Sequence, residues 1–169
     1  MDDMRRKTLR RRVLCAGGKA HALLIWDDVL PLEAIYAAEV ADLRRRFPML
    51  GQVMALENRG PAGDLVRLIR LIWREAIALR LSGLLACVAP SDAARRLYTR
   101  HLCFQRLDWP RRPWADAAQA PVEVVLLDIA ATAPHAAEKL ARLGRAAAPV
   151  ARTPKERAGG EWIEIGRAS

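Results

Sequence analysis

The stretch that decides the fold is residues 52–104, with the sequence QVMALENRGPAGDLVRLIRLIWREAIALRLSGLLACVAPSDAARRLYTRHLCF. Its apolar start predicts a β-strand, and the segment 58–63 predicts a turn because it contains two Gly and one Pro. Apolar side chains then recur at helical spacing, and the run LLACVA at 84–89 predicts a central strand covered on both faces. With a second helix over 92–102, the stretch is expected to form a β-α-β-α unit.

Strands and helices are also predicted on both sides of this unit. Apolar runs before and after Gly17-Gly18-Lys19 predict two strands joined by a tight hairpin. A helix is predicted from Pro31 to the residue before Pro48, because Pro suits a first helical turn and stops a helix further on. The β-branched segment PVEVVLLDI at 121–129 predicts a strand, and 134–144 predicts a short helix.

The predicted order is therefore β-β-α-β-α-β-α-β-α, in a mixed sheet with helices on both faces. This order places the chain in the α/β (α+β) class. Its 169 residues suffice for one domain with a full core, which we expect over 13–143. A basic lead-in at 1–12 and a flexible tail at 144–169, rich in Ala, Pro, Arg and Gly, flank that domain.

The composition narrows the classes of function. An excess of 28 Lys and Arg over 19 Asp and Glu suggests an anionic partner. Nucleic acid is a minor alternative, because the chain lacks interleaved strand aromatics, a helix-turn-helix pattern and zinc ligands. The three cysteines form no CxxC pair and the histidines share no metal-ligand spacing, so we expect no metal site and reduced thiols in a cytoplasm. No apolar run approaches the roughly 20 residues of a membrane span.

The pattern around Tyr98 and Phe104 carries a family resemblance. A strand, a Gly-rich turn, a long helix, a buried strand and a helix ending in LYTRHLCF together resemble the GNAT acyltransferases. The six-residue spacing from Tyr98 to Phe104 is similar to that of the long-chain N-acyl amino acid synthases, bacterial relatives of the acyl-homoserine lactone synthases. The similarity covers about 30–130. The usual first strand and helices of that family are not matched, so one substrate wall is expected to be absent or to come from a second subunit, as in a homodimer.

The resemblance implies a chemistry and its site. Family members transfer a fatty acyl group from an acyl carrier protein, or from acyl-CoA, to the amine of an amino acid or another small molecule. The acyl thioester is a co-substrate whose arm inserts between two splayed strands, and no tightly bound cofactor is implied. Phosphates meet the turn before the long helix, where backbone N–H groups favour anions. The matching positions are Arg59, Gly60, Gly63, Asp64 and Arg67, and Asp64 is also a candidate N-cap of that helix.

The candidate catalytic residues depart from the family pattern. Where the family has Glu in a pattern like E-V-S-R, this chain has Gln52-Val53-Met54-Ala55, and glutamine cannot accept a proton. Glu57 can substitute as the base, although its odd spacing from Gln52 places it on the other face of an ideal strand. Tyr98 is either the acid for the departing thiolate or an ordinary core residue.

Two interpretations therefore stay open beside the nucleic-acid alternative. In the first, the chain is an acyltransferase, and Arg67, Arg70 and Arg74 on one side of the long helix attract an acidic acyl carrier protein. In the second, the chain is a GNAT-like module that binds or dimerises without catalysis. Gln52 and Ala55 favour the second.

Overall fold

The computed structural model describes residues 10–26, 29–89, 91–112 and 122–146. The strands are β1 Arg11–Ala16, β2 Ala20–Ile25, β3 Leu50–Asn58, β4 Gly83–Val88, β5 Gln105–Arg106 and β6 Glu123–Asp128. The helices are α1 Glu33–Arg46, α2 Ala62–Ala78, α3 Asp92–Arg95, which continues into one π-helical segment, Arg96–His101, and α4 Ile129–Ala146. None of these helices is both long and apolar enough to span a bilayer.

The six strands form one mixed sheet in the order β1-β2-β3-β4-β6-β5. The neighbours β3 and β4 are parallel, as expected for strands joined by a helical crossover, and the other pairs are antiparallel. The predicted mixed sheet is confirmed, and so is the hairpin, whose turn places Gly17 and Gly18 at positive φ.

Apolar side chains cover both faces of the sheet. On one face, Tyr36 and Val40 of α1 pack against Leu85 of β4, whereas on the other Leu68 of α2 packs with Leu84. Leu68 is fully buried, and burial of such a side chain stabilises the fold by about 1.5–3 kcal/mol. Helix α4 continues this second layer through Ile129. The helices thus lie on both faces, as the sequence predicts.

The C-terminal elements differ from the expectation in their bounds. Helix α4 begins at Ile129, five residues before Pro134, and accommodates that proline at the loss of one helical hydrogen bond. It extends through Gly144 to Ala146, past the start of the predicted tail. The rest of that tail, 147–169, lies outside the described residues, as does most of the predicted lead-in, 1–9. The strand β5, two residues long, was not predicted.

The helix predicted over 92–102 changes type halfway. Ser91 caps its start by accepting a hydrogen bond from the Ala94 N–H. From Arg96 the helix becomes π-helical, and the N–H of Leu102 bonds the carbonyl of Leu97, five residues back. The widened turn ends with the Phe104 N–H on the Tyr98 carbonyl. The six-residue spacing of these two aromatic residues thus corresponds to a π-helical end.

Candidate functional site

A cleft opens where β3 and β4 stop pairing. Their parallel register begins at Leu50 and ends at Val53 opposite Ala86, although β3 continues to Asn58. Ala55 has a φ of +49°, and the register between β2 and β3 shifts at this point. These features define a β-bulge, which bends a strand and interrupts its ladder. The bulge therefore turns the second half of β3 away from β4.

The cleft between the diverging strands has a volume of about 500 Å³. The strand residues that line it are Gln52, Val53, Met54, Ala55, Leu56, Glu57, Cys87 and Val88. Ala94, Leu97 and Tyr98 close one side, and Val122 closes another. Its walls are mostly apolar, whereas the separated strand edges carry backbone N–H and C=O groups that a ligand can pair. Such a lining suits an extended chain that combines amides with an alkyl segment.

Gln52 is almost fully buried at the inner end of the cleft, with 1% of its surface exposed. Its Oε1 accepts a hydrogen bond from the Leu32 N–H at 3.0 Å, which ties α1 to β3. Because only the carbonyl end of the amide can accept this bond, the amide orientation is fixed. The Nε2 is left without a partner among the described residues. A buried unpaired donor costs about 1–3 kcal/mol, so a ligand oxygen at this place would be favoured.

Glu57 lies on the same face of the sheet as Gln52. Residues opposite one another in an antiparallel pair share a face. Glu57 is opposite His21, and Gln52 is opposite Ile25, four residues further along β2. The sequence places Glu57 on the other face for an ideal strand, and the bulge at Ala55 reverses that expectation. The Glu57 side chain is 47% exposed. Its carboxylate pairs with Arg59 at 3.2 Å, and His21 Nε2 lies 3.8 Å from the same carboxylate.

Tyr98 lies between the cleft and the apolar core. Its ring packs edge-to-face on Phe104, with ring centroids 5.3 Å apart, and its hydroxyl has no hydrogen bond within the described part of the chain. Desolvation raises the pKa of Tyr98 to about 12, with a smaller contribution from Cys87. Burial also raises the pKa of the Cys87 thiol to about 12. Tyr98 is consequently protonated at neutral pH and can donate a hydrogen bond, but it cannot act as a base.

The turn before α2 is partly filled by its own side chains. The Gly60 N–H donates to Asn58 Oδ1 at 2.9 Å, and the Asp64 N–H donates to the Pro61 carbonyl at 3.0 Å. Gly63 faces open space. Pro61, in extended conformation, is the N-cap in place of the predicted Asp64, because the helix begins at Ala62, two residues before Asp64.

The Asp64 carboxylate occupies the position at which a helix N-terminus attracts an anion. Its side chain is only 10% exposed and packs so closely on Gly17 and Gly60 that a Cβ on either glycine would overlap with it. Arg67 Nη1 is 3.6 Å from Asp64 Oδ1, and Arg59 is 81% exposed beside Glu57. The structure therefore gathers Gly60, Asp64 and Arg67, but with a carboxylate already in place.

The three arginines of α2 lie on a different surface from the cleft. Arg67, Arg70 and Arg74 line a shallow groove of about 390 Å³ between α2 and β1, together with Cys15. None of these residues lines the cleft. The groove is basic and open, which is the character expected of a surface that attracts an acidic protein.

The structure also reveals a charged cluster at the end of β6 that the sequence does not predict. Glu123 has a side chain only 4% exposed, and Arg95 binds it through Nη2 at 2.8 Å and Nε at 3.1 Å. Arg111 Nη2 donates to it at 3.1 Å, and Arg106 Nη2 lies 3.8 Å away. The hydrogen bond from Arg95 lowers the pKa of Glu123 below its usual value. The sequence signal that could have indicated this cluster is the glutamate at position 123, which lies inside the apolar run PVEVVLLDI.

Metal ligands are not gathered anywhere in the described ranges, where no three His, Cys, Asp or Glu side chains are placed to hold an ion.

Comparison with known proteins gives a match at the level of structure. No family model matches the sequence, and no curated protein matches it either. A solved structure that matches is FeeM, an N-acyl amino acid synthase from uncultured soil microbes, with a TM-score of 0.56 and 19% sequence identity over 68% of this chain and 68% of that one. The chain thus has a GNAT-like fold, the fold that it shares with this synthase.

Proposed function

We propose that this chain is an N-acyltransferase that moves a fatty acyl group from an acyl thioester to the amine of an amino acid or another small amine. The observation that carries the proposal is the cleft that opens beyond Val53 and Ala86. The fold shared with FeeM, an N-acyl amino acid synthase, supports it.

The cleft suits the arm of an acyl thioester for a simple reason. Beyond Val53 and Ala86 the facing edges of β3 and β4 no longer bond each other. An extended arm with amide groups can occupy that gap as an added strand, with its amides paired to the exposed backbone. Its alkyl chain then continues along the apolar wall formed by Leu56, Leu97 and Tyr98.

Three side chains on the cleft wall have chemistry that fits acyl transfer. The amine attacks the thioester carbonyl, the carbonyl oxygen gains negative charge, and the C–S bond then breaks. Gln52 Nε2, which is buried and lacks a partner in the described residues, donates to that oxygen. Tyr98 donates a hydrogen bond to the departing thiolate, which takes up the proton that the nitrogen loses after its attack, so that the products are the amide and a thiol. Glu57 accepts the ammonium proton, because it is the carboxylate that the bulge turns to the Gln52 face.

The donor is proposed to be an acyl carrier protein rather than acyl-CoA. The Asp64 carboxylate beside Gly60 disfavours the diphosphate of CoA at the turn more than the single phosphate of a carrier protein's arm, because CoA brings the larger negative charge. Carrier proteins are acidic, and the groove of Arg67, Arg70 and Arg74 supplies the complementary charge. Formation of a homodimer stays a separate prediction.

A catalytically inactive binding or dimerisation module is the second candidate. Gln52 favours it, because its Oε1 has a structural role in tying Leu32 to β3. Such a module would bind an acyl thioester without turnover.

A transfer assay separates the two candidates. The purified chain is mixed with an equal concentration of long-chain acyl carrier protein and with all common amino acids, and products are sought by mass spectrometry. The acyltransferase gives an N-acylated amino acid, and Arg45→Gln on the exposed side of α1 serves as a control that gives the same yield. Bound donor without any acylated product, with carrier protein or with acyl-CoA, would favour the module.

A further inference from the structure

A cysteine and a lysine from distant parts of the chain meet at the end of the π-helical segment. Lys139 of α4 donates a hydrogen bond from Nζ to Cys103 Sγ at 2.7 Å, although the two residues are 36 positions apart. Bonds from nitrogen to oxygen, which is a smaller atom than sulfur, span about 2.7–3.2 Å. The nitrogen and the sulfur are therefore in close direct contact.

The backbone holds the Cys103 thiol in place. Cys103 comes two residues after the π-helical segment and has a φ of +64°, a left-handed conformation that favours glycine. A residue with a side chain keeps such a conformation only where its surroundings impose it. Here the Phe104 N–H bonds the Tyr98 carbonyl and closes the turn around Cys103. The thiol is thus fixed against α4.

The Lys139 ammonium is directed at this sulfur and at no carboxylate. Within the described residues, its one polar contact is Cys103 Sγ. The neighbouring Glu138 binds Arg142 instead. Lys139 is therefore not held in a salt bridge, and its nitrogen lies where it can react with the sulfur.

The other two cysteines lack such an arrangement. Burial raises the pKa of the Cys87 thiol to about 12, so Cys87 is protonated at neutral pH and is a poor nucleophile. Cys15 is exposed, whereas Cys103 is half-buried, so exposure alone would direct oxidants to Cys15. A cation in contact with a sulfur stabilises the negative charge of its reactive form, and this favours Cys103.

We propose that hydrogen peroxide joins Cys103 to Lys139 through a covalent sulfur–nitrogen bond. The sulfur attacks the peroxide, the O–O bond breaks, and Cys103 becomes a sulfenic acid with loss of one water. The Lys139 nitrogen then attacks the same sulfur, so that the S–N bond forms and the S–O bond breaks. The departing hydroxide takes one proton from the ammonium and leaves as water, and a second proton goes to the solvent. One peroxide is thereby reduced to two waters, and the sulfur is oxidised.

Such a bond links two elements that otherwise meet only by packing. It joins α4 to the turn that carries Phe104, whose ring packs on Tyr98. Because it closes a loop between positions 36 residues apart, it restricts the unfolded chain in the way that a disulfide does. We therefore expect the oxidised chain to melt about 5–15 °C higher than the reduced chain.

Peptide mapping of the full chain tests the link directly. The chain is treated with hydrogen peroxide, digested without reductant and analysed by mass spectrometry. We expect two peptides joined through Cys103 and Lys139, lighter than their sum by two hydrogen atoms, and we expect dithiothreitol to separate them. This result identifies both residues in the wild type and does not require a variant to fold. It is also independent of acyl transfer, whose failure would show only as missing acylated product.

Two variants separate the link from simple oxidation of a thiol. Lys139→Arg keeps a cation beside the sulfur, but a guanidinium stays protonated and does not attack it. We expect this variant to lose the link and to accumulate a sulfenic acid at Cys103, which dimedone labels several-fold more than in the wild type. Arg142→Gln, three residues further along α4, is the matched control and keeps the link.

The contrary results are equally specific. Oxidation confined to Cys15 would overturn the proposal, and so would a sulfinic acid at Cys103 beside an unmodified Lys139. A melting temperature that is the same before and after peroxide treatment would overturn it as well, provided that most of the chain has reacted.

Discussion

The carboxylate of Asp64 lies directly on Gly17, and this contact joins α2 to the β1–β2 hairpin beside the hydrogen bond from the Arg59 N–H to the Lys19 carbonyl. Gly17 has a φ of +60° and its neighbour Gly18 a φ of +70°, but only Gly17 faces Asp64. Gly17→Ala therefore meets two costs, the left-handed backbone and a clash, whereas Gly18→Ala meets only the first. We expect Gly18→Ala to lower the free energy of unfolding by about 1–2 kcal/mol and Gly17→Ala to lower it further.

Urea denaturation measures both variants, and the double variant Gly17→Ala with Asp64→Ala separates the two costs. Removing the carboxylate should restore most of the free energy of unfolding that Gly17→Ala loses relative to Gly18→Ala. Equal decreases in the free energy of unfolding for Gly17→Ala and Gly18→Ala would contradict the contact between Asp64 and Gly17.

Asp64 is also expected to select the acyl donor. Asp64→Asn removes the negative charge from the N-terminus of α2 while the side chain keeps its size. The ratio of kcat/KM for acyl-CoA to that for acyl carrier protein should rise several-fold, because the diphosphate no longer meets a carboxylate. Asp42→Asn, at an exposed position of α1, is the matched control. A ratio that is the same in Asp64→Asn and wild type would show that Asp64 does not select the donor.

Gln52 is predicted to have a structural role and a catalytic one. Gln52→Leu leaves the Leu32 N–H without its acceptor in a buried place and should lower the free energy of unfolding by about 1–3 kcal/mol. The comparison is Ser82→Ala, which removes two exposed hydrogen bonds of the Ser82 hydroxyl, one from the Met49 N–H and one to the Met49 carbonyl, and should cost less.

Gln52→Glu tests the catalytic role. It keeps an acceptor for Leu32 but replaces the free Nε2 donor with an oxygen, so we expect kcat to fall by about 100-fold. A higher kcat than the wild type would indicate that the position requires a base, which would contradict the assignment of Gln52 as a donor.

Tyr98 is predicted to matter for turnover rather than for stability at neutral pH. Its hydroxyl has no partner in the described residues, so Tyr98→Phe should change the free energy of unfolding by less than about 1 kcal/mol while kcat falls about 10- to 100-fold. Tyr36→Phe is the contrasting variant. The Tyr36 hydroxyl donates to the Pro110 carbonyl at 2.9 Å and accepts from the Arg112 N–H at 3.1 Å, so its loss should destabilise the fold.

Stability at high pH follows from the raised pKa of Tyr98. The pKa of about 12 in the folded chain lies above the ordinary value of 10.0, so the unfolded chain loses this proton first as the pH rises. The contribution of Tyr98 is therefore constant below pH 10 and decreases by about 2–3 kcal/mol between pH 10 and 12. Tyr98→Phe should unfold less readily than the wild type across this window. Identical alkaline transitions would contradict the raised pKa of Tyr98.

Much of the fold could be predicted because its signals are local. The glycine pair of the hairpin, the proline at the start of α1 and the apolar run of β4 each determine their own element. The order of these predicted elements indicated a mixed sheet, and the resemblance around Tyr98 and Phe104 indicated the GNAT-like fold. Helix α4 was placed too late because Pro134 resembles a helix start, whereas tertiary packing of Ile129 extends the helix in the N-terminal direction.

The site could be predicted only in part, because its geometry depends on distant residues. Nothing in the sequence marks Ala55 as a bulge, since alanine has no preference for positive φ, and the bulge decides which face Glu57 takes. Glu123 and Arg95 are 28 residues apart and meet only through the sheet. The turn was recognised, but the position of Asp64 on Gly17 was not, because it requires the hairpin to lie beside the turn.

The most direct measurement for the central claim is a crystal structure with a non-cleavable analogue of acyl-phosphopantetheine, a 2-oxoalkyl thioether in which a methylene separates the sulfur from the acyl carbonyl. The account predicts that the arm lies between β3 and β4 beyond Val53 and Ala86, with its amides bonded to the two strand edges and its carbonyl oxygen at Gln52 Nε2. An arm bound outside this cleft, while β3 and β4 remain apart and empty, would contradict it.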